Sequence, residues 1–358
     1  MTHKNLTIKE IAQRSGVSIS TVSRVLNNSP SVSNEKREKI QAVIHENDYQ
    51  PSMVARSMVS KRTHTLAIIA PDINNPYFTD LISEIELIAN QSNYSILLFN
   101  TMSAGNRKVE TKDSIEISVF KSILEKQVDG IFILGGDIDK EDLSESYLTA
   151  LNHLNSIIPV VVIGQYQNGV NCHFIDRNLK YGVTLITQHL LSLGYRDIGF
   201  IGGEPKIKIT TERVKAFKEI LSLYSSVNEE TIILNDYYAK DGYQAIKLLI
   251  EKNILPKALV AMNDQVALGA FRALNDYHLS CPEDIAIVSC DAFPDADFQT
   301  PRITNVNQHN HDLAQVALTT LLFYLDTTEI LPENMSQHLP ELVIRESCGS
   351  KNIGGLKL

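Results

Sequence analysis

The chain has only four cysteines: Cys172, Cys281, Cys290 and Cys348. No two have C-x-x-C spacing, and no histidine stands at a zinc-site distance from them. They read as structural thiols of a reducing cytoplasm. No window approaches 18 uncharged apolar residues, which excludes a membrane-spanning helix. The opening MTHKNLTIKE contains no apolar signal-peptide core, so residence in the cytoplasm is expected. G-x-G-x-x-G is missing, so the pairs Gly135-Gly136 and Gly202-Gly203 read as turns rather than as a dinucleotide fingerprint. There is no G-x-S-x-G elbow, and no Ser/His/Asp order stands out, which argues against an enzyme. His309-Asn310-His311 lacks a third ligand at useful spacing. Asp291, Asp295 and Asp297 read as solvated loop acids, so neither metal nor cofactor is expected. The tail Cys348–Leu358 has no leucine heptads, and no tetramerising coiled coil is expected.

What is present is a basic head on an acidic body. The 358 residues suffice for two or three units at about 100–200 residues per domain. The net charge is −9, but it is unevenly spread. Residues 1–62 carry 10 Lys/Arg against 5 Asp/Glu, and the remainder carries 23 against 37. That distribution fits a DNA-reading module attached to something else.

The stretch TIKEIAQRSGVSISTVSRVLNN, Thr7 to Asn28, reads as two short helices joined by a tight turn. Thr7 caps the first, and Glu10 three residues on completes a capping box. Gly16 supplies the φ > 0 that ends this helix. Ser18 is an N-cap for the second helix. Val22, Val25 and Leu26 recur at i, i+3, i+4 and face inward. Ile19, Ser20, Ser23, Arg24 and Asn27 are left outward or near the helix start. A helix led by small polar residues and an arginine is what a helix-turn-helix places in the major groove. Ser33 is expected to cap a third helix, whose Ile40, Val43 and Ile44 close over the first two.

The run GVSISTVSRVLN resembles the recognition motif of the lactose/galactose repressor (LacI–GalR) family of bacterial transcription regulators. The likeness extends through most of the chain, to Glu346. It implies that Ile19, Ser20 and Arg24 read base edges while Ser23 and Asn27 hold phosphates. Thr7, Ser18 and Thr21 complete the DNA-binding set. It also implies that Ser52–Val59, too short for a stable isolated helix, is a hinge that becomes helical on DNA. Met58 would then wedge between base steps. The family usually has leucine there, and often asparagine where Ser52 stands. One recognition helix covers a half-site, so a homodimer on a pseudo-palindromic operator is expected, in a bacterial, nucleoid-associated protein.

From Thr65 onward, apolar runs of four to six residues alternate with helical periodicity, which implies α/β architecture with parallel sheets covered on both faces. Expected strands are Leu66–Ala70, Ser95–Phe99, Gly130–Leu134, Pro159–Ile163, Ile198–Ile201, Thr231–Leu234, Ala258–Ala261 and Ile285–Ser289. Periodicity leaves one barrel or two open sheets open. The resemblance favours two Rossmann-like subdomains of the periplasmic-binding-protein type. The expected division is a helix-turn-helix domain over 1–49, a hinge over 50–62, and an effector-binding and dimerisation domain over 63–345. Within the last, 63–163 and 295–325 would form one subdomain, and 164–294 and 326–345 the other. The strand and helix from Ile303 to Leu325 would return to the first.

Ligands of open α/β sheets bind at the carboxyl ends of strands. The loops expected there contain Asn75, Tyr77 and Phe78, then Arg213, then Asn263, then Asp291 and Phe293. Arg213 can donate a bidentate fork, Asp291 accepts, Asn263 does both, and the aromatics offer flat faces to a sugar ring. By resemblance, NPYF is the first effector loop, and Arg213, Asn263 and Asp291 fall on effector positions. Ala292 departs from the acid usual after that aspartate. Arg213→Ala is expected to fold and bind operator while losing its effector response. The reading is a repressor of carbohydrate-use genes switched by a sugar or sugar phosphate. Alternatives are a catabolite-control regulator using a phosphoprotein corepressor, or a sugar-binding or sugar-processing α/β protein. A purine corepressor fits less well with Asn263.

Overall fold

The computed structural model describes residues 6–26, 30–47, 62–105, 114–327 and 339–350. The chain divides into two compact units, residues 1–65 and 66–358.

The first unit is helical: α1 (Ile8–Ser15), α2 (Ile19–Leu26) and α3 (Asn34–Glu46). All but one of the local signals have a visible partner. Thr7 and Glu10 form the reciprocal capping box, with the Glu10 carboxylate accepting from the Thr7 amide at 2.7 Å. Gly16 ends α1 at φ 66°. The Ser18 hydroxyl accepts from the Thr21 amide at 3.3 Å and starts α2. Ser33 precedes α3, but its hydroxyl makes no capping bond, contrary to expectation. Ile11, Ala12, Val22, Val25, Val32 and Ile40 close a small core.

The second unit has two lobes, each an α/β layer. The first sheet contains β1 (Thr65–Ala70), β2 (Ser95–Asn100), β3 (Gly130–Ile133), β4 (Val160–Ile163) and β5 (His173–Ile175), in the order β2-β1-β3-β4-β5. It is covered by α4 (Pro76–Gln91), α5 (Ile115–Lys126) and α6 (Glu145–Ile157). The second lobe begins with α7 (Leu179–Ser192), β6 (Ile198–Ile201), α8 (Lys208–Leu221), β7 (Ile232–Ile233) and α9 (Ala239–Glu251). Then follow β8 (Ala258–Ala261), α10 (Asp264–Asp276), β9 (Ala286–Ser289) and β10 (Thr304–Asn307). Last in the chain come α11 (Asn310–Asp326), which returns to the first lobe, and β11 (Glu341–Val343) of the second sheet. The second sheet runs β11-β10-β9-β8-β6-β7, with β11 antiparallel to β10. Strands β3, β4, β6, β8 and β9 are buried along their length, as parallel strands covered on both faces must be.

The chain crosses between lobes at other points than expected. Strand β5 joins the first sheet by pairing with β4, so the chain leaves that lobe after Ile175 rather than near Gly164. Strand β10 pairs with β9 in the second sheet, whereas the helix after it, α11, packs Leu313, Ala314, Leu318 and Leu321 into the first lobe's core. The expected strand-and-helix return from Ile303 is therefore split, with the helix alone going back. Only the apolar face of α11 matches the first lobe, while the β10 backbone completes a ladder begun by β9. No helix among the described residues is long and apolar enough to cross a membrane.

Candidate functional site

On α2, Val22 and Val25 point into the three-helix core, and Ser18, Ile19, Ser20 and Arg24 stand exposed around it. Ile19 keeps 48% of its surface exposed, which is unusual for so apolar a side chain. Thr21 and Ser23 are partly exposed, and Thr7 is exposed at the start of α1. The Ser18 hydroxyl bonds those of Ser20 and Thr21 at 2.8 Å, giving a polar cluster at the helix N-terminus. Asn27 and Met58, and nearly all of the expected hinge, lie outside the described residues.

In the two-lobed unit a cleft of about 770 Å³ runs between the strand ends of the two sheets. Asn75, Tyr77, Phe78, Arg213, Asn263 and Asp291 all line it, so six of the seven residues expected in a ligand site are brought together. Phe293 does not line it. Its ring is buried in the first lobe's core, although the loop that carries it follows β9 of the second sheet.

Several of these side chains have structural work of their own. Asn75 caps α4, accepting from the Tyr77 amide at 3.1 Å. Asn263 caps α10 through the Val266 amide at 3.0 Å, and its amide nitrogen holds the Tyr237 carbonyl at 3.0 Å. Arg213 is 1% exposed and makes a two-pronged contact with Asp291, Nη1 to Oδ2 at 2.9 Å and Nη2 to Oδ1 at 2.5 Å. Nη1 also donates to the Met262 carbonyl at 2.8 Å. Burial opposes the charge on the guanidinium, but the Asp291 carboxylate outweighs it and holds Arg213 protonated. The fork expected to grip a ligand is thus closed on a protein carboxylate, and Arg213 braces the cleft floor.

The cleft also contains residues the sequence reading did not single out: Asp139, Arg177, Glu204, Tyr237 and Tyr238. The pair Tyr237-Tyr238 follows β7, at the same edge as the loops that were read. Arg177 follows β5, which is only three residues long and leaves no periodic trace. Asp139 follows Gly135-Gly136 in a short turn that carries no motif of its own. Burial pushes the Asp139 carboxyl up to about 7, against the pull of Arg177.

Ties join the two lobes across the cleft. The Tyr238 hydroxyl donates to Asp72 at 2.7 Å. The Lys208 ammonium donates to the Tyr166 carbonyl at 2.7 Å, and the Thr211 hydroxyl donates to Glu141. The Glu141 amide donates to the Lys206 carbonyl at 3.0 Å, beside a bridge between Lys140 and Ile207. Behind the first lobe's wall, Glu116 is fully buried and accepts from the Asp137 amide and the Tyr147 hydroxyl, each at 2.8 Å. Burial, helped by the charge of Asp137, pushes its carboxyl up to about 7.

A three-helix unit with an exposed recognition helix and a two-lobed α/β unit closed around a cleft together define a DNA-binding regulator with a periplasmic-binding-protein-like body. Residues 7–52 match the family described as "Bacterial regulatory proteins, lacI family", and residues 187–348 match "Periplasmic binding protein-like domain". The chain is 32% identical to catabolite control protein A of Staphylococcus epidermidis, over 94% of this chain and 97% of that one. It is 30% identical to the HTH-type transcriptional repressor PurR of Actinobacillus pleuropneumoniae, over 97% and 99%. The crystal structure of the lac repressor dimer bound to operator and the anti-inducer ONPF has the same fold, at TM-score 0.80 and 22% identity, covering 96% of this chain and 99% of that one. The chain belongs to the lacI family of bacterial transcription regulators.

Two outcomes follow from the buried charges. Arg213→Ala strands the Asp291 carboxylate and is expected to lower stability by about 3–5 kcal/mol, whereas replacing both partners by apolar residues recovers most of it. Equilibrium urea unfolding measures both, and an Arg213→Ala variant of wild-type stability rules out the bracing role. Glu116 is harder to ionise folded than unfolded, so its contribution is fully present below its ordinary value near 4.5 and is lost as pH rises through about 7. Between pH 5 and 8, Glu116→Gln should therefore gain about 1–3 kcal/mol relative to wild type. A pH-independent difference between the two curves contradicts this.

Proposed function

We propose that the protein represses carbohydrate-use genes and that a small sugar or sugar phosphate in the inter-lobe cleft sets its operator affinity. The observation that carries this reading is the cleft itself, where aromatic faces from Tyr77 and Phe78 meet polar groups from both lobes. Such a mix suits a polyhydroxylated ring, whose faces are apolar and whose rim is polar. A ligand alters DNA affinity only if it binds two conformations unequally. The ties between Asp72 and Tyr238, and between Glu141 and Lys206, exist in one closure state, so a ligand touching both lobes has such a preference. Coupling of about 1–3 kcal/mol is enough for a working switch.

In this reading the protein acts as a homodimer on a pseudo-palindromic operator, by binding rather than by catalysis, in the bacterial cytoplasm. Ile19, Ser20 and Arg24 read base edges, and Ser23 and Asn27 hold phosphates. Met58 is the wedge of a hinge spanning 50–62. The head extends over 1–49 and the effector and dimerisation domain over 63–345. The 32% identity to a catabolite control protein favours a second reading, in which a phosphorylated protein serves as corepressor. Adding such a protein to an operator titration separates the two, since only the second reading requires it.

Arg24→Ala should cost about 1–3 kcal/mol on the operator and much less on random DNA, measured by fluorescence anisotropy at fixed salt. Equal losses on both would reduce Arg24 to a phosphate contact. Tyr238→Phe removes one tie and should weaken effector binding by about 1 kcal/mol, roughly fivefold, with DNA contacts untouched. Unchanged calorimetric affinity would show that this bond plays no part in closure.

A further inference from the structure

The cations lining the cleft are answered by protein oxygens, with one exception among the described residues. Arg213 is paired with Asp291, and Lys140 meets Asp137 at 2.5 Å. Arg177 is the exception. It is 8% exposed, its guanidinium lies 4.3 Å from the centre of the Tyr77 ring, and its Nη1 is buried without a hydrogen-bond partner. The Tyr77 hydroxyl is likewise buried and unpartnered, and so is Nε of Arg213. Three buried donors without an acceptor therefore belong to residues that line one cleft. Buried polar groups are almost always satisfied, and an unmet cationic donor is the least tolerable of them.

The Tyr77 ring beside Arg177 offers the cation a π face but no hydrogen-bond acceptor for its N–H groups. The fork geometry of a guanidinium matches two oxygens of one acidic group. Burial pushes the Asp139 carboxyl up to about 7 against the pull of Arg177, and the two side chains form no ion pair. The cation is left for a charge from outside the chain.

We propose that the effector is an acidic sugar derivative, a phosphate monoester or a carboxylate on a polyhydroxylated skeleton, and that Arg177 with the Tyr77 hydroxyl holds its acidic group. The inference rests on the effector-cleft reading and sharpens it. Neutral sugars offer hydroxyl acceptors but no anionic pair of oxygens to match the guanidinium fork, so the cleft discriminates against them.

The test is calorimetric titration of the full chain with paired probes: glucose against glucose 6-phosphate and glucuronate, ribose against ribose 5-phosphate, and inorganic phosphate alone. At least one acidic sugar should bind tenfold or more tightly than its neutral parent, and the phosphate and carboxylate arms tell which group is read. Arg177→Gln should lower that affinity at least tenfold without changing the neutral parent's. Arg177→Lys, which retains charge but not the fork, should lie between. If Arg177→Gln fails to fold by thermal unfolding, the lysine variant alone decides, by losing or retaining the preference. A neutral sugar that binds as tightly as its acidic derivative, or no binding by any acidic probe, overturns the inference. A neutral sugar that also shifts operator affinity overturns it while leaving the effector-cleft reading intact. A ligand indifferent to both Arg177→Gln and Phe78→Ala sits elsewhere, and both readings fall.

Discussion

The buried pair of Arg213 and Asp291 organises the ligand-binding body. Helix α8 supplies the arginine, the loop after β9 supplies the aspartate, and the carbonyl at the end of β8 accepts a third bond. A guanidinium out of water is costly unless its carboxylate is placed in the plane of the fork. Helix α8 and the carboxyl ends of β8 and β9 are therefore held in one relation. The neighbouring capping bonds of Asn263 depend on the same arrangement, because Met262 and Asn263 are consecutive. The cleft floor is cross-linked in this way, whereas its two walls meet through a few polar ties.

Those ties are polar and individually weak, which suits the change of closure that the proposed switch requires. A hydroxyl-to-carboxylate bond, an ammonium-to-carbonyl bond and a short backbone bridge carry closure between the lobes. Each can exchange with water at small net cost. The apolar cores, by contrast, stay within lobes, apart from Phe293 and α11, which the crossing segments carry into the first lobe. Closure can thus change without exposing a core, and the polar rim decides its direction.

Much of this was legible in the sequence because the signals were local. Thr7, Glu10, Gly16 and Ser18 mark helix ends through bonds within three residues, and their geometry is as the sequence dictates. Long apolar strands such as β1 and β8 are visible as runs. The misreadings arise where the deciding interaction is distant. Phe293 is apolar in a loop beside an acid, and nothing nearby says that its ring enters the other lobe's core. Strand β5 is three residues long and owes its existence to β4. Missing it concealed Arg177, and with it the unanswered charge in the cleft. Arg213 lines the cleft together with the other polar residues read at the strand ends, but its partner stands 78 residues away and is a carboxylate of the protein.

The split return of the chain has a consequence for how the protein is made. The first lobe starts with β1 but is completed by α11, which arrives after every strand of the second sheet except β11. On the ribosome, the early lobe must wait with the α11 face of its sheet uncovered while the later lobe emerges. The three-helix unit, complete by Glu46, needs no such wait. During synthesis the DNA-reading head can therefore be folded well before the body that governs it, and a truncated product released in that interval would carry a reader without its control.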